Sequence, residues 1–170
     1  MKRIVSATMF ATGLLAVAPL VRAQDCSNMS NWDLRGTYTG ASSGWMDISK
    51  VLPGMGLPSG LVQATSVGAF TFNGAGGGGG WISVNTGGGQ MNSQIAALKY
   101  SMNSDCSVQV TWWLKIKVLG ITIGPFSRLG VIAVRPDALE IHWMFVGTPP
   151  GTPAGAGVDL GVAHRISMQY

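Results

Sequence analysis

Residues 108–118, VQVTWWLKIKV, alternate apolar and polar side chains, with Trp113 the one apolar residue on the polar side. A period of two is the signature of a half-buried β-strand, so Val108, Val110, Trp112, Leu114, Ile116 and Val118 share one face. Trp112 is thereby predicted inward, and Trp113, among Gln109, Thr111, Lys115 and Lys117, outward. The same rule sends Leu139, Ile141, Trp143 and Phe145 inward, opposite Glu140, His142 and Met144. Leu34 and Tyr38 fall opposite Arg35, Thr37 and Thr39, and Leu98, Tyr100 and Met102 opposite Lys99, Ser101 and Asn103. Near the end of the chain, alternation groups Val162, His164, Ile166 and Met168 and predicts His164 on the inner face.

Eight strands are predicted, over 34–42, 67–73, 81–85, 94–103, 108–118, 127–134, 138–146 and 158–169. The stretches NGAGGGGG, NTGGGQ, NSDCS, GITIGP, RPD and GTPPGTPAGAG between them are rich in the residues that end strands. Short loops imply antiparallel neighbours, and one apolar face per strand must be covered by another sheet or by closure. The expectation is an all-β fold, a single antiparallel up-and-down barrel of about eight strands, with a β-sandwich as the alternative. The segment 44–61, GWMDISKVLPGMGLPSGL, breaks the rhythm. Its Trp45, Ile48 and Leu52 suggest a short helix over 45–52, serving as a lid or as an apolar plug.

The start of the chain changes how composition is read. Lys2 and Arg3 precede an apolar run from Ile4 to Ala18, and Val21-Arg22-Ala23 places small residues at −3 and −1, the pattern of a cleaved export signal. Residues 1–23 are expected to leave, and 24–170 to form one domain that is periplasmic or extracellular. The formal charge of +4 comes from 11 Lys/Arg against 7 Asp/Glu; loss of Lys2, Arg3 and Arg22 leaves 8 against 7, a net +1. No basic surface for nucleic acid is implied, and membrane association of the mature protein is not expected. Cys26 and Cys106, the chain's two cysteines, are expected to form a disulfide in an oxidising compartment.

Three patterns suggest chemistry on paper. Gly74 to Gly79 satisfies G-x-G-x-x-G, but a strand follows it rather than the helix that phosphate binding requires. Gly40-Ala41-Ser42-Ser43-Gly44 satisfies G-x-S-x-G, with acidic residues and His142 or His164 downstream, yet lacks the strand-to-helix elbow of a hydrolase. Glu140 and His142 share a face without a third ligand at metal spacing, so they read as a solvated pair. No metal or cofactor is expected, and enzymatic activity is not demanded by any residue.

Gly36-Thr37-Tyr38 opens the first strand where lipocalins carry Gly-x-Trp, and Arg165 lies in the last strand where a basic residue packs over that ring. On these residues and the strand count, the chain resembles small secreted bacterial barrels of the lipocalin-like or calycin-like kind. The resemblance implies an interior that binds or carries a small apolar ligand, lined by Tyr38, Phe70, Phe72, Tyr100, Met102, Trp112, Trp143 and His164. Two alternatives use the same strands: an eight-stranded outer-membrane barrel with apolar faces toward lipid, and a partner-binding module with a filled core.

Overall fold

The computed structural model describes residues 25–52, 54–57, 59–87, 89–134, 139–144 and 157–167. Its strands are β1 (Gly36–Met46), β2 (Val62–Phe72), β3 (Gly77–Asn85), β4 (Gln90–Met102), β5 (Ser107–Ile116), β6 (Ile121–Val134), β7 (Leu139–Met144) and β8 (Gly157–Ser167). Each pairs antiparallel with its sequence neighbour, and β8 returns to pair with β1, closing a barrel. The sandwich alternative therefore falls. With eight strands the wall encloses a lumen about as wide as facing side chains can fill.

Several predicted loops are strand. Gly77 to Gly80 pair with β2 and β4, and the GITIGP segment runs through β6, because closure demands partners for backbone groups that glycine content alone would leave to solvent. The helix expected over 45–52 shrinks to α1 (Ile48–Val51), since Trp45 and Met46 are held in register by β2 and β8. Asp47 caps it, accepting from the Ser49 amide at 3.1 Å and hydroxyl at 2.6 Å. These bonds hold its carboxyl below the usual carboxylate range.

Trp112 is inward and buried as the alternation of β5 requires, with Leu114, Ile116 and Val108 beside it. Alternation misleads in β8. Ala163 is buried while the His164 side chain is 52% exposed, so the inner face carries Asp159, Gly161, Ala163 and Arg165, and the apolar Leu160 and Ile166 face outward. His164 is thus corrected to the outer wall. The cause is Trp143, whose indole crosses the lumen against β1 and β8. A Cβ at Gly161 would lie 2.4 Å from its Nε1, and one at Gly40 would lie 2.6 Å from its Cη2. The inner position of β8 against the indole, Gly161, must be small, and with Ala163 beside it the middle of the inner face carries little hydrophobic signal.

Described residues pack over both ends of the barrel. At one, residues 25–35 lie across the mouth, tied by the Cys26–Cys106 disulfide and packed through Leu34 against Tyr38 and Phe72. At the other, Val51 and Leu52 of the 44–61 segment pack with Ile116, Met46, Ile48, Met91, Ile123 and Phe126. This part of the segment is a plug. Phe145 and Met168 lie outside the described residues.

Candidate binding site in the barrel lumen

Between the two closures the lumen holds two adjacent cavities. The first is lined by Tyr38, Phe70, Phe72, Trp112, Trp143 and smaller residues, and has about 40 Å³ open to water-sized molecules. The second, nearer the plug, has about 60 Å³ and is lined by Met46, Val51, Leu114, Phe126 and neighbours. Ser42, Ser66, Ile82, Trp112 and Arg128 face both. A water needs ~10–15 Å³ by this measure, so each cavity admits a few waters or a ligand of a few heavy atoms.

The aromatic lining is built by edge-to-face pairing. Tyr38 and Phe72 centroids lie 5.2 Å apart, Phe72 and Tyr100 4.5 Å, and Phe70 and Trp143 6.0 Å. Tyr100 belongs to the sealed end rather than the open space: its hydroxyl donates to the Asn31 carbonyl at 3.1 Å and accepts from the Gly74 amide at 2.8 Å. Met102 is beside it, its amide donating to Asn31 Oδ1 at 2.9 Å. Five of the eight residues predicted to line a ligand site, Tyr38, Phe70, Phe72, Trp112 and Trp143, surround the first cavity. Tyr100 and Met102 back that group, and His164 lies outside the wall.

Across the apolar lumen runs a polar belt. Arg128 pairs with Asp159 Oδ2, and its guanidinium stands 4.9 Å from the Trp112 ring centroid. Ser42 Oγ donates to the same Asp159 oxygen at 3.0 Å and lies 2.7 Å from Ser66 Oγ. Burial pulls the Arg128 pKa down, against the opposing pull of Asp159. Asp159 Oδ1 and the Tyr38 hydroxyl are buried without a hydrogen-bond partner among the described residues. Desolvation pushes the Tyr38 phenol up to about 12, although the Arg165 charge works the other way. Arg165 itself donates to the Asp33 carbonyl at 2.9 Å.

The belt escaped sequence reasoning, yet a signal for half of it exists. Counting in twos from buried Ile132 through Gly130 places Arg128 inside, and a guanidinium inside a barrel requires a buried counter-charge. The Asp159 that answers it stands on the strand whose phase Trp143 reverses.

The paper motifs resolve differently. Ser42 of the G-x-S-x-G match is an inward strand residue bonded to Asp159, while both histidines are on the outer wall, so no imidazole reaches its hydroxyl. The G-x-G-x-x-G match forms the β2–β3 turn and the start of β3. Glu140, expected to be solvated, is buried and has a second histidine beside it, accepting from His142 Nε2 and His164 Nδ1, each at 3.1 Å, through different oxygens. Among the described residues no group of three or more acidic, histidine or cysteine side chains is placed to hold a metal ion.

Comparison with protein families, curated proteins and solved structures returns no match.

Proposed function

We propose that this protein is exported and binds a small, mainly apolar molecule inside its barrel. The observation that carries the reading is a pair of cavities walled by aromatic and aliphatic side chains and crossed by a few fixed polar groups, the composition of small-molecule sites. The Cys26–Cys106 disulfide supports a non-reducing compartment and with it the removal of residues 1–23. Kinship with lipocalin-like barrels belongs to the same reading. It is supported by closure at eight strands and by Arg165 standing opposite Tyr38 in the β1–β8 ladder.

The outward residues favour a water-facing barrel over one immersed in lipid. Thr39, Ser43, Gln63, Thr65, Gln94, Lys99, Gln109 and Lys115 are exposed around β1, β2, β4 and β5, where a membrane barrel needs an unbroken apolar band. Exposed Leu129 and Val131 on β6 and Leu160 and Ile166 on β8 favour, as a second reading, a partner-binding outer face.

Native mass spectrometry of the mature protein, taken from periplasmic extract without detergent, tests the choice. The lumen reading expects a reproducible small adduct that is absent from the denatured mass. Bare protein that comes down with a second polypeptide would favour the outer-face reading instead.

A further inference from the structure

We infer that the plug end of the barrel docks on a membrane surface bearing anionic headgroups, with its connections entering the headgroup layer and the barrel wall left in water. This docking surface is independent of what the lumen holds. β1, β3, β5 and β7 finish at the plug end and β2, β4, β6 and β8 start from it, so the connections 47–61, 86–89 and 117–120 share one rim. Val51 and Leu52 pack on Ile116, which brings the 44–61 segment across the mouth to the 117–120 turn.

Apolar side chains stand exposed on that rim. Val118 is 89% exposed in the β5–β6 turn, with Leu119 beside it, and Trp45, Met55, Leu57 and Leu61 are exposed along the 44–61 segment. On the described connections of the sealed end the one large exposed apolar residue is Trp32, whose ring centroid has the Arg35 guanidinium 4.0 Å away. Charge divides in the same way. Lys50, Lys115 and Lys117 are exposed at the plug end. The carboxylates on that side are Asp47, buried and capping α1, and Asp159, paired with Arg128 inside the lumen. The connection 145–156 adds no charged residue to the sequence. Asp25, Asp33 and Asp105, the exposed carboxylates among the described residues, are all at the sealed end. The net +1 of residues 24–170 averages the two ends and so conceals the difference. Apolar tips flanked by lysine and free of exposed carboxylate fit an anionic bilayer: the lysines meet lipid phosphates, and the indole and aliphatic tips meet the boundary between headgroups and acyl chains. A second copy docked on the same rim by a two-fold axis sets lysine against lysine.

Flotation of the mature protein with vesicles tests this, using phosphatidylcholine alone and phosphatidylcholine with phosphatidylglycerol at about two to one. The expected result is partition onto the mixed vesicles about tenfold or more stronger than onto the neutral ones, most of it lost at ~0.5 M salt. Val118→Asp alters a side chain that is almost wholly in solvent, so the fold is kept, and should cut partition onto the mixed vesicles about tenfold. Asn28→Asp, the same change of charge at an exposed position of the sealed end, should cut it less than about twofold. Circular dichroism checks that both variants fold. Equal partition onto the two kinds of vesicle, or equal losses from the two variants, would overturn the inference. So would protein that stays in the soluble fraction throughout, which would leave the exposed tips to a protein partner instead.

Discussion

The two ends of this barrel are closed by different physics. At the sealed end, residues 25–35 are fixed covalently by the Cys26–Cys106 disulfide and by the hydrogen bonds that Asn31 accepts from the Tyr100 hydroxyl and the Met102 amide. At the other end, a single helical turn places Val51 and Leu52 over Ile116, and burial of those side chains together with the Asp47 cap holds the closure. One mouth is tied; the other is pressed shut. On the proposed reading of an exported, ligand-binding barrel, such an asymmetry would let exchange open one mouth without loosening the other.

The largest expected effect breaks the tied end. Replacing Cys26 and Cys106 together with Ser frees a chain separation of 80 residues. Loop entropy alone then costs about 4.5 kcal/mol, a large share of what a domain of this size has in reserve. The check is a urea melt of the double variant against the wild type. A loss under ~1 kcal/mol would mean that packing of Leu34 and Tyr38 holds this mouth without the bridge.

The pressed end should give a smaller stability loss and a larger kinetic effect. Leu52→Ala removes a side chain only 9% exposed at the rim, for which about 2 kcal/mol, the low end for such truncations, is expected. Its amides, and those of residues 47–51, should exchange hydrogen faster, while exchange at 29–35 is unchanged. Equal acceleration at both ends would show that the closures are coupled and the contrast between them is false.

Where one face of a strand is plainly apolar and the other carries lysine, as in β5, the barrel wall could be read directly from the sequence. Trp112 and Trp113 sit where alternation sends them because the inner face of β5 meets only other side chains of ordinary size. The candidate site was half legible for the same reason. Tyr38, Phe70, Phe72, Trp112 and Trp143 are large, aromatic and in phase, whereas Ser42, Ser66, Arg128 and Asp159 gain meaning only from strands that are distant in sequence. His164 was misplaced because its strand obeys Trp143, a residue on another strand, rather than its own pattern. Closure in β8 outranks hydrophobicity, and a single-strand rule carries no information about closure.

Tyr100 and Tyr38 sharpen the comparison within the lining itself. Both phenols are buried, but Tyr100 is bonded to two backbone groups of the tied end, while the Tyr38 hydroxyl, near Arg165, makes no well-formed hydrogen bond among the described residues. Tyr100→Phe therefore strands the Gly74 amide and the Asn31 carbonyl and should cost about 1–2 kcal/mol at neutral pH. Tyr38→Phe removes an oxygen without a well-formed hydrogen bond among the described residues and should leave neutral stability within ~0.5 kcal/mol of the wild type. Denaturant midpoints of the two variants under one buffer decide the matter, and equal losses would show that Tyr38 has a partner too.

The smallest effect at neutral pH becomes visible in alkali. Folding raises the Tyr38 phenol from its ordinary 10 to about 12, chiefly by desolvation. Below pH 10 the phenol is protonated in both states and its contribution is whole. Between pH 10 and about 12 the unfolded chain ionises first, so the folded state loses ~1.4 kcal/mol per pH unit from this group, a total of about 2–3 kcal/mol. Above 12 both states ionise and nothing further is lost. Tyr100 shifts in the same direction, also through burial, but it is present in both proteins when the wild type is set against Tyr38→Phe. The lysines cancel likewise. The two proteins should thus unfold together at pH 7 and separate at pH 11.5, with Tyr38→Phe the more stable. If their alkaline midpoints coincide, the Tyr38 hydroxyl reaches water or a base in the folded state, and the first cavity is wet at its tied end.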